Sequence, residues 1–175
     1  MLGSRQWETT STKTNTNMTK ESILSPPEVA YALSIATERY SCKVGKGTRI
    51  SKRHTGFAVN FAGVVGELCF RKVYGGKINT AVLPNGDNHA PDIILDDGRE
   101  VEVKTSLFGG NPVIIFEDNE LDCAQHISLV KLTLPDWGKV YPIYTWGYVK
   151  PRLTTTDFGY GKRWVFDPSK HEVPC

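Results

Sequence analysis

No stretch of the sequence holds enough consecutive apolar residues to span a membrane. The first residues also lack the apolar core of a secretory signal peptide, so secretion is not expected. The four cysteines are far apart and form no CxxC pair, which argues against a disulfide framework and against a structural zinc site. These absences favour a cytoplasmic protein of a bacterial, archaeal or virus-infected cell, with reduced thiols and no membrane partner.

Acidic residues are missing from a central segment of the chain, between Tyr40 and Gly66. The net charge of +2 does not by itself indicate nucleic-acid binding, but basic residues recur in this segment, largely at three-residue steps. They are Lys43, Lys46, Arg49, Lys52 and Arg53. A solvated surface and an arm that faces phosphates explain this run equally well. Lys162 and Arg163 belong to a second basic cluster, near the C-terminus.

The chain of 175 residues is long enough for one domain with a hydrophobic core. Residues 1–24 contain few hydrophobic side chains and are expected to form a disordered leader, followed by one domain over residues 25–175. Ser25 is a predicted helix N-cap, with Pro26 at the first helical position and Glu28 as its capping-box partner. This helix has about four turns. Its predicted apolar face comprises Val29, Leu33, Ala36 and Tyr40.

A second helix is predicted over residues 60–74, with Gly75 and Gly76 ending it. Glu67 is the only acid in this helix. It either points to water or serves a function, and both interpretations stay open. Strands are predicted beyond residue 77, at residues 77–83, 91–95, 100–106, 111–117, 127–134 and 141–149, before an irregular tail. The sequence therefore predicts an α/β or α+β fold, a single domain in which helices flank a central mixed β-sheet.

Two acids and a lysine interrupt the β-branched residues of a predicted hairpin: Asp92, Glu102 and Lys104. Acids and lysines are depleted in strands. A three-residue loop that ends at Gly98 places Ile93 opposite Val101, whereas a two-residue loop shifts the register by one. The first register is better because it collects the apolar side chains on one face. Residues 92, 102 and 104 then share the opposite face.

Asp92 and Glu102 would be direct neighbours across the hairpin in this register. Two carboxylates that close repel one another and raise one another's pKa unless a cation lies between them. Lys104 is one candidate for that cation, and a divalent metal is the other. Oxygen ligands alone favour Mg²⁺, or Mn²⁺, over zinc. An exposed hairpin with ordinary surface charges is the alternative interpretation.

Here the sequence resembles a PD-(D/E)xK nuclease of the restriction-endonuclease-like superfamily, which includes archaeal Holliday junction resolvases and many phage nucleases. The matching residues are Pro91-Asp92, the run Glu102-Val103-Lys104, and Glu67 in the preceding helix. The order of the acidic helix, the Pro-Asp strand and the Glu-x-Lys strand agrees as well. The resemblance covers residues 57–149, while the basic arm and the tail lie outside it.

The resemblance implies a restriction-endonuclease-like fold and hydrolysis of DNA phosphodiester bonds. It implies that Asp92, Glu102 and the backbone carbonyl of Val103 hold Mg²⁺, with Mn²⁺ as the alternative ion. Glu67 would complete the site directly or through a water, and Lys104 would orient the attacking water and help to deprotonate it. The two basic clusters would then contact the DNA backbone. A homodimer would provide one site for each strand.

Other functions remain open at this point. The chain has little length to spare for reading bases, which favours structure-directed or weakly sequence-specific cleavage over a site-specific restriction enzyme. A DNA-binding or assembly module on the same fold, without catalysis, is an alternative of another class. The last alternative is a small β-rich binding domain that is unrelated to nucleases.

Overall fold

The computed structural model describes residues 19–43, 56–81, 90–107, 109–116, 125–159 and 161–171. Across these residues the chain forms an α+β fold in which helices flank a curled, mixed β-sheet. This confirms the predicted single domain with a mixed sheet and flanking helices.

Helix α1 comprises Pro26–Lys43 and begins with the predicted capping box. The Ser25 backbone N–H donates to Glu28 Oε2 at 2.7 Å, which satisfies one of the donors at the helix start. The predicted apolar face is only partly correct, because Leu33 and Tyr40 are 47% and 38% exposed. The residues that α1 buries are Ala32, Ile35 and Ala36. These three residues belong to the same hydrophobic cluster as the buried residues of the next helix.

Helix α2 comprises Gly56–Tyr74, so it begins four residues earlier than predicted. Its buried residues lie in the middle of the helix: Ala62, Val64, Val65, Gly66, Glu67, Leu68, Cys69 and Phe70. Gly75 and Gly76 end the helix as predicted, with φ angles of 80° and 92°. Such positive φ values favour glycine. Helix α2 packs against α1 on one side and against the β-sheet on the other.

Most strands in the described part of the chain are short, and two of them are longer than five residues. Their bounds are Lys20–Ile23 (β1), Lys77–Ile78 (β2), Ile93–Ile94 (β3), Glu100–Ser106 (β4), Ile114–Phe116 (β5), His126–Thr133 (β6), Trp137–Val140 (β7), Tyr144–Thr145 (β8), Thr154–Asp157 (β9) and Lys162–Phe166 (β10). The main sheet has the order β1-β7-β6-β4-β3-β2, with β8 pairing to β6. Strands β4 and β6 are parallel, and the other pairs in this sheet are antiparallel. A second sheet has the order β5-β10-β9.

Strand β6 lies between two hydrophobic clusters. Val130 and Leu132 belong to the larger cluster, with the buried residues of both helices. Ile127 and Leu129 belong to the second cluster, with residues of the small sheet such as Phe166. Because side chains alternate along a strand, α1 and α2 cover one face of the main sheet and the small sheet lies against the other.

Three sequence predictions are wrong in this part of the molecule. The predicted leader reached residue 24, but β1 pairs with β7 and so belongs to the main sheet. The last predicted strand ends in a short helix, α3, at Trp146–Val149, where Trp146 packs on Phe116. The predicted irregular tail contains the hairpin β9–β10, whose register joins Lys162 to Asp157. The rest of the predicted leader lies outside the described residues.

Candidate active site

The hairpin formed by β3 and β4 has the predicted register. Ile93 pairs with Val101. The loop closes through hydrogen bonds from the Leu95 N–H to the Arg99 carbonyl and from the Gly98 N–H to the Leu95 carbonyl, both of 2.9 Å. Gly98 has a φ of 84°, the left-handed conformation predicted for the last loop residue. The three-residue loop is therefore confirmed.

The two faces of this hairpin differ as the register requires. One face is buried against the helices and carries Ile93, Leu95, Val101 and Val103. On the opposite face Glu102 and Lys104 are half-buried, and Lys104 Nζ lies 3.1 Å from Glu102 Oε1. In the parallel pairing with β6, Glu102 is adjacent to Ile127 and Lys104 to Leu129. The two charged residues therefore lie on the face of the main sheet that the small sheet also covers.

Asp92 lies just before β3, where the pairing between β3 and β4 has ended. Its Oδ2 accepts a hydrogen bond of 2.8 Å from the Val103 N–H. The carboxylate thus binds a backbone donor of β4 that has no partner on β3. This contact fixes Asp92 beside the neighbouring residue of β4, Glu102.

The pKa of Asp92 is raised well above the usual value for an aspartate. Burial is the largest cause, and the carboxylates of Glu102 and Glu67 add to it. The Val103 N–H and the Lys104 ammonium act in the opposite direction. Asp92 is therefore a half-buried acid among other acids, which a cation would stabilise in its ionised form.

Glu67 extends from α2, and its side chain is 5% exposed. Arg39 of α1 binds both of its oxygens, with Nη1 to Oε1 at 2.7 Å and Nη2 to Oε2 at 3.0 Å. Burial raises the pKa of Glu67, the hydrogen bonds and charge of Arg39 oppose that rise, and Glu102 adds to it. The interpretation that Glu67 points to water is therefore wrong.

Arg39 is the residue of this region that sequence reasoning missed. Its side chain is 18% exposed, and it stands three and seven positions after Ala36 and Ala32, on the buried stripe of α1. An arginine at such a position needs a buried acceptor. This signal appears only when the buried stripe is placed on Ala32 and Ala36. The predicted face comprised Val29, Leu33, Ala36 and Tyr40 instead.

The carboxylates that could bind a divalent metal in this region are those of Asp92, Glu102 and Glu67. Among the described residues, no three Asp, Glu, His or Cys side chains are grouped so as to hold a metal ion by themselves. Both oxygens of Glu67 accept hydrogen bonds from Arg39. Mg²⁺ needs only one or two carboxylates and keeps several waters. Asp92 and Glu102 fit that requirement, because a carboxylate has lone pairs beyond those used by Val103 and Lys104.

The predicted DNA-contacting residues are only partly described. Lys162 and Arg163 lie on β10 in the small sheet, where Lys162 is exposed and Arg163 is half-buried. Lys43 is the last residue of α1. Lys46, Arg49, Lys52 and Arg53 lie outside the described residues.

Comparison with known proteins leaves the family open, since no protein-family model matches the chain and no curated protein matches it. The helices that the structure describes include none that is long and apolar enough to cross a membrane.

Proposed function

We propose that this protein is a metal-dependent nuclease that hydrolyses DNA phosphodiester bonds. One observation carries the proposal: a hairpin in the observed register supplies Asp92, Glu102 and Lys104, with Asp92 half-buried and bonded to the Val103 N–H. A carboxylate whose pKa is raised by desolvation and by neighbouring carboxylates is typical of binding and catalytic sites. Together with the resemblance to PD-(D/E)xK nucleases, this set supports phosphodiester chemistry.

In the proposed site, Asp92 and Glu102 hold Mg²⁺, with the Val103 carbonyl as a third ligand and Mn²⁺ as a substitute ion. When bound, the ion would lower the pKa of a water and neutralise charge on the phosphoryl oxygens. Lys104 has a half-buried ammonium next to Glu102. Its role is to hold the attacking water and the phosphate in position and to assist removal of the water's proton.

The proposed substrate is DNA, bound through its backbone. Lys162 and Arg163 of β10 would contact phosphates, together with the basic run from Lys43 to Arg53. Such contacts position a nucleic acid without reading its sequence. This favours structure-directed or weakly sequence-specific cleavage. A homodimer would place one site on each strand of a duplex.

The proposal is tested by incubating the protein with supercoiled plasmid, linear duplex and a synthetic four-way junction, in Mg²⁺, Mn²⁺ or EDTA. Asp92→Ala serves as the matched control. We expect cleavage that needs the metal and is lost in the variant, and the preferred substrate would identify the subclass. A single recognition sequence among the products would indicate a restriction-type enzyme. Binding without cleavage by the folded wild-type protein would contradict the proposal and favour a non-catalytic DNA-binding module.

A further inference from the structure

The Arg39–Glu67 pair joins the two helices at the edge of the candidate active site. Both oxygens of the carboxylate and both terminal nitrogens of the guanidinium take part, at 2.7 and 3.0 Å. This two-bond geometry fixes the orientation of both planar groups, which a lysine cannot do. Because both side chains are largely buried, at 18% and 5% exposed, the pair is shielded from solvent.

Arg39 also connects this pair to the strand that carries Asp92. Its Nη2 donates to the backbone carbonyl of Asn79, at 3.0 Å. The Asn79 N–H in turn donates to the backbone carbonyl of Asp92, at 2.8 Å. A path of three hydrogen bonds therefore leads from Glu67 through Arg39 and Asn79 to the main chain of Asp92.

We propose that Arg39 is a positioning residue of this site and that Glu67 acts through Arg39 rather than as a metal ligand. The inference rests on the proposed nuclease function and deepens it. Arg39 already occupies both oxygens of Glu67, so a direct metal–Glu67 bond would require the buried pair to separate. Separation would leave a buried guanidinium without its carboxylate, which is strongly unfavourable. Arg39 instead sets the place of the Asp92 main chain, and Glu67 holds Arg39 in position.

The competing role for Glu67 is that of a third metal ligand. The two roles differ in what the conservative variant Glu67→Gln does to metal binding in the absence of DNA. A lost ligand weakens metal binding as much as the loss of Asp92 does. If Glu67 acts only through Arg39, Glu67→Gln keeps a side-chain oxygen that accepts from Arg39, so Asp92, Glu102 and the Val103 carbonyl stay available to the metal.

The first experiment measures the dissociation constant for Mn²⁺ by titration calorimetry without DNA, for wild type, Glu67→Gln and Asp92→Asn. We expect Asp92→Asn to weaken binding by more than about a hundredfold and Glu67→Gln by about tenfold, the low end of the range for residues that act through another group. Equal losses in the two variants would overturn the inference. Should Glu67→Gln fail to fold, Arg39→Met with Glu67→Gln removes both charges together, which buried ion pairs tolerate better than the loss of one partner.

The second experiment separates positioning from a purely structural role. The double variant Arg39→Met/Glu67→Gln lacks the bond to Asn79, and its matched control is Lys72→Met. That control breaks a different α1–α2 ion pair, Glu28–Lys72, which has a distance of 2.8 Å. We expect the double variant to lower kcat for DNA cleavage by about a hundredfold with KM little changed, as misplacement of a catalytic group does. Lys72→Met should keep the wild-type kcat.

A double variant with wild-type kcat would overturn the positioning role of Arg39. Failure of the nuclease proposal gives a different pattern: the wild-type protein would neither bind Mn²⁺ nor cleave DNA, or Asp92→Asn would leave both unchanged. The two failures are therefore distinguishable.

Discussion

Asp92 Oδ2 accepts a hydrogen bond of 2.8 Å from the backbone N–H of Val103. The bond forms where the β3–β4 ladder stops, since the register ends at the pair of Ile93 with Val101. The aspartate side chain thus replaces a strand carbonyl as the acceptor for β4. Its orientation is set by the main chain of the strand that carries Glu102 and Lys104, which keeps the proposed metal ligands and the lysine in a fixed relation.

The first prediction concerns stability, because Asp92 has a raised pKa. A folded-state pKa above the unfolded value, near 3.8, means that the folded protein binds the proton more tightly. Stability is then lost as pH rises from that value through the folded pKa. Asp92→Asn keeps a side-chain oxygen that can accept from the Val103 N–H. Its amide does not titrate, so the variant does not lose stability as the pH rises through this range. We expect it to raise Tm at neutral pH in EDTA by a few degrees, where about 1 kcal/mol corresponds to ~2–4 °C.

The gain in Tm should disappear below about pH 3.8, where Asp92 is protonated in both states. The difference in Tm between Asp92→Asn and wild type should also shrink when Mg²⁺ is added, since the ion would stabilise the folded wild-type protein. Scanning calorimetry of both proteins across pH, with and without Mg²⁺, measures each effect. An Asp92→Asn protein that is less stable than wild type at neutral pH would contradict this account.

Lys104 is predicted to matter for catalysis and little for the fold. Its ammonium pairs with Glu102 on a half-buried surface, 23% and 26% exposed, so the pair is partly screened by water. We expect Lys104→Met to change the free energy of unfolding by less than about 1 kcal/mol. The same variant should lower kcat by about 10²–10⁴-fold, as the loss of a proton-transfer group does. Urea unfolding and single-turnover cleavage check the two parts, and a variant with near-wild-type kcat would exclude the proposed role.

Gly66 is predicted to be essential for packing of α2 on the sheet. A Cβ at this position would overlap Thr105 Cγ2 on β4, whereas a Cβ at Gly63 of the same helix meets nothing within 4 Å. We expect Gly66→Ala to destabilise the protein by about 1–3 kcal/mol. Gly63→Ala, the matched control, should stabilise it by about 0.5–1 kcal/mol through helix propensity.

Thr105→Ser removes the overlapping methyl group and should restore much of the stability of Gly66→Ala. Chemical denaturation of the single and double variants measures this coupling. If Thr105→Ser gives no recovery, the close approach of α2 to β4 is not the cause of the loss.

Glu28 is predicted to make stability depend on acid pH. Hydrogen bonds from Lys72, and from the backbone and side chain of Ser25, lower its pKa from 4.5 to about 2. A lowered folded-state pKa contributes stability above the unfolded pKa, and this contribution is lost as pH falls toward the folded one. Glu28→Gln should therefore cost about 0.5–1 kcal/mol at neutral pH, an amount limited by solvent screening. The cost should vanish near pH 2. Urea unfolding at a series of pH values measures it, and a cost that stays constant from neutral to acid pH would contradict the assignment.

Local sequence signals predicted the parts of the fold that depend on neighbouring residues. The Ser25–Glu28 capping box, the Gly75-Gly76 helix end and the bounds of β4 all follow from short patterns, and each is present. The register of the β3–β4 hairpin followed from Gly98 together with the alternation of apolar side chains. That was sufficient to place Asp92, Glu102 and Lys104 together.

Features that depend on distant contacts could not be predicted in this way. Strand β1 has a single buried residue, Ser22, in a polar stretch, and its pairing partner β7 lies far along the chain. Trp146 and Tyr148 favour a strand by propensity, yet α3 forms where Trp146 packs on Phe116. Arg39 acquires its role from Glu67 and Asn79, which lie 28 and 40 residues away. No local pattern shows such a contact.

The most direct test of the nuclease proposal is the rate of plasmid nicking by wild type and Asp92→Asn, side by side in Mg²⁺ and in EDTA. The account predicts rapid, Mg²⁺-dependent nicking by wild type and a loss of at least about a thousandfold in the variant, within the range that metal and acid–base catalysis supply. It predicts that loss in a protein whose Tm at neutral pH is higher than that of wild type. Equal nicking by the two proteins, or none by folded wild type, would contradict the claim that this hairpin is an active site.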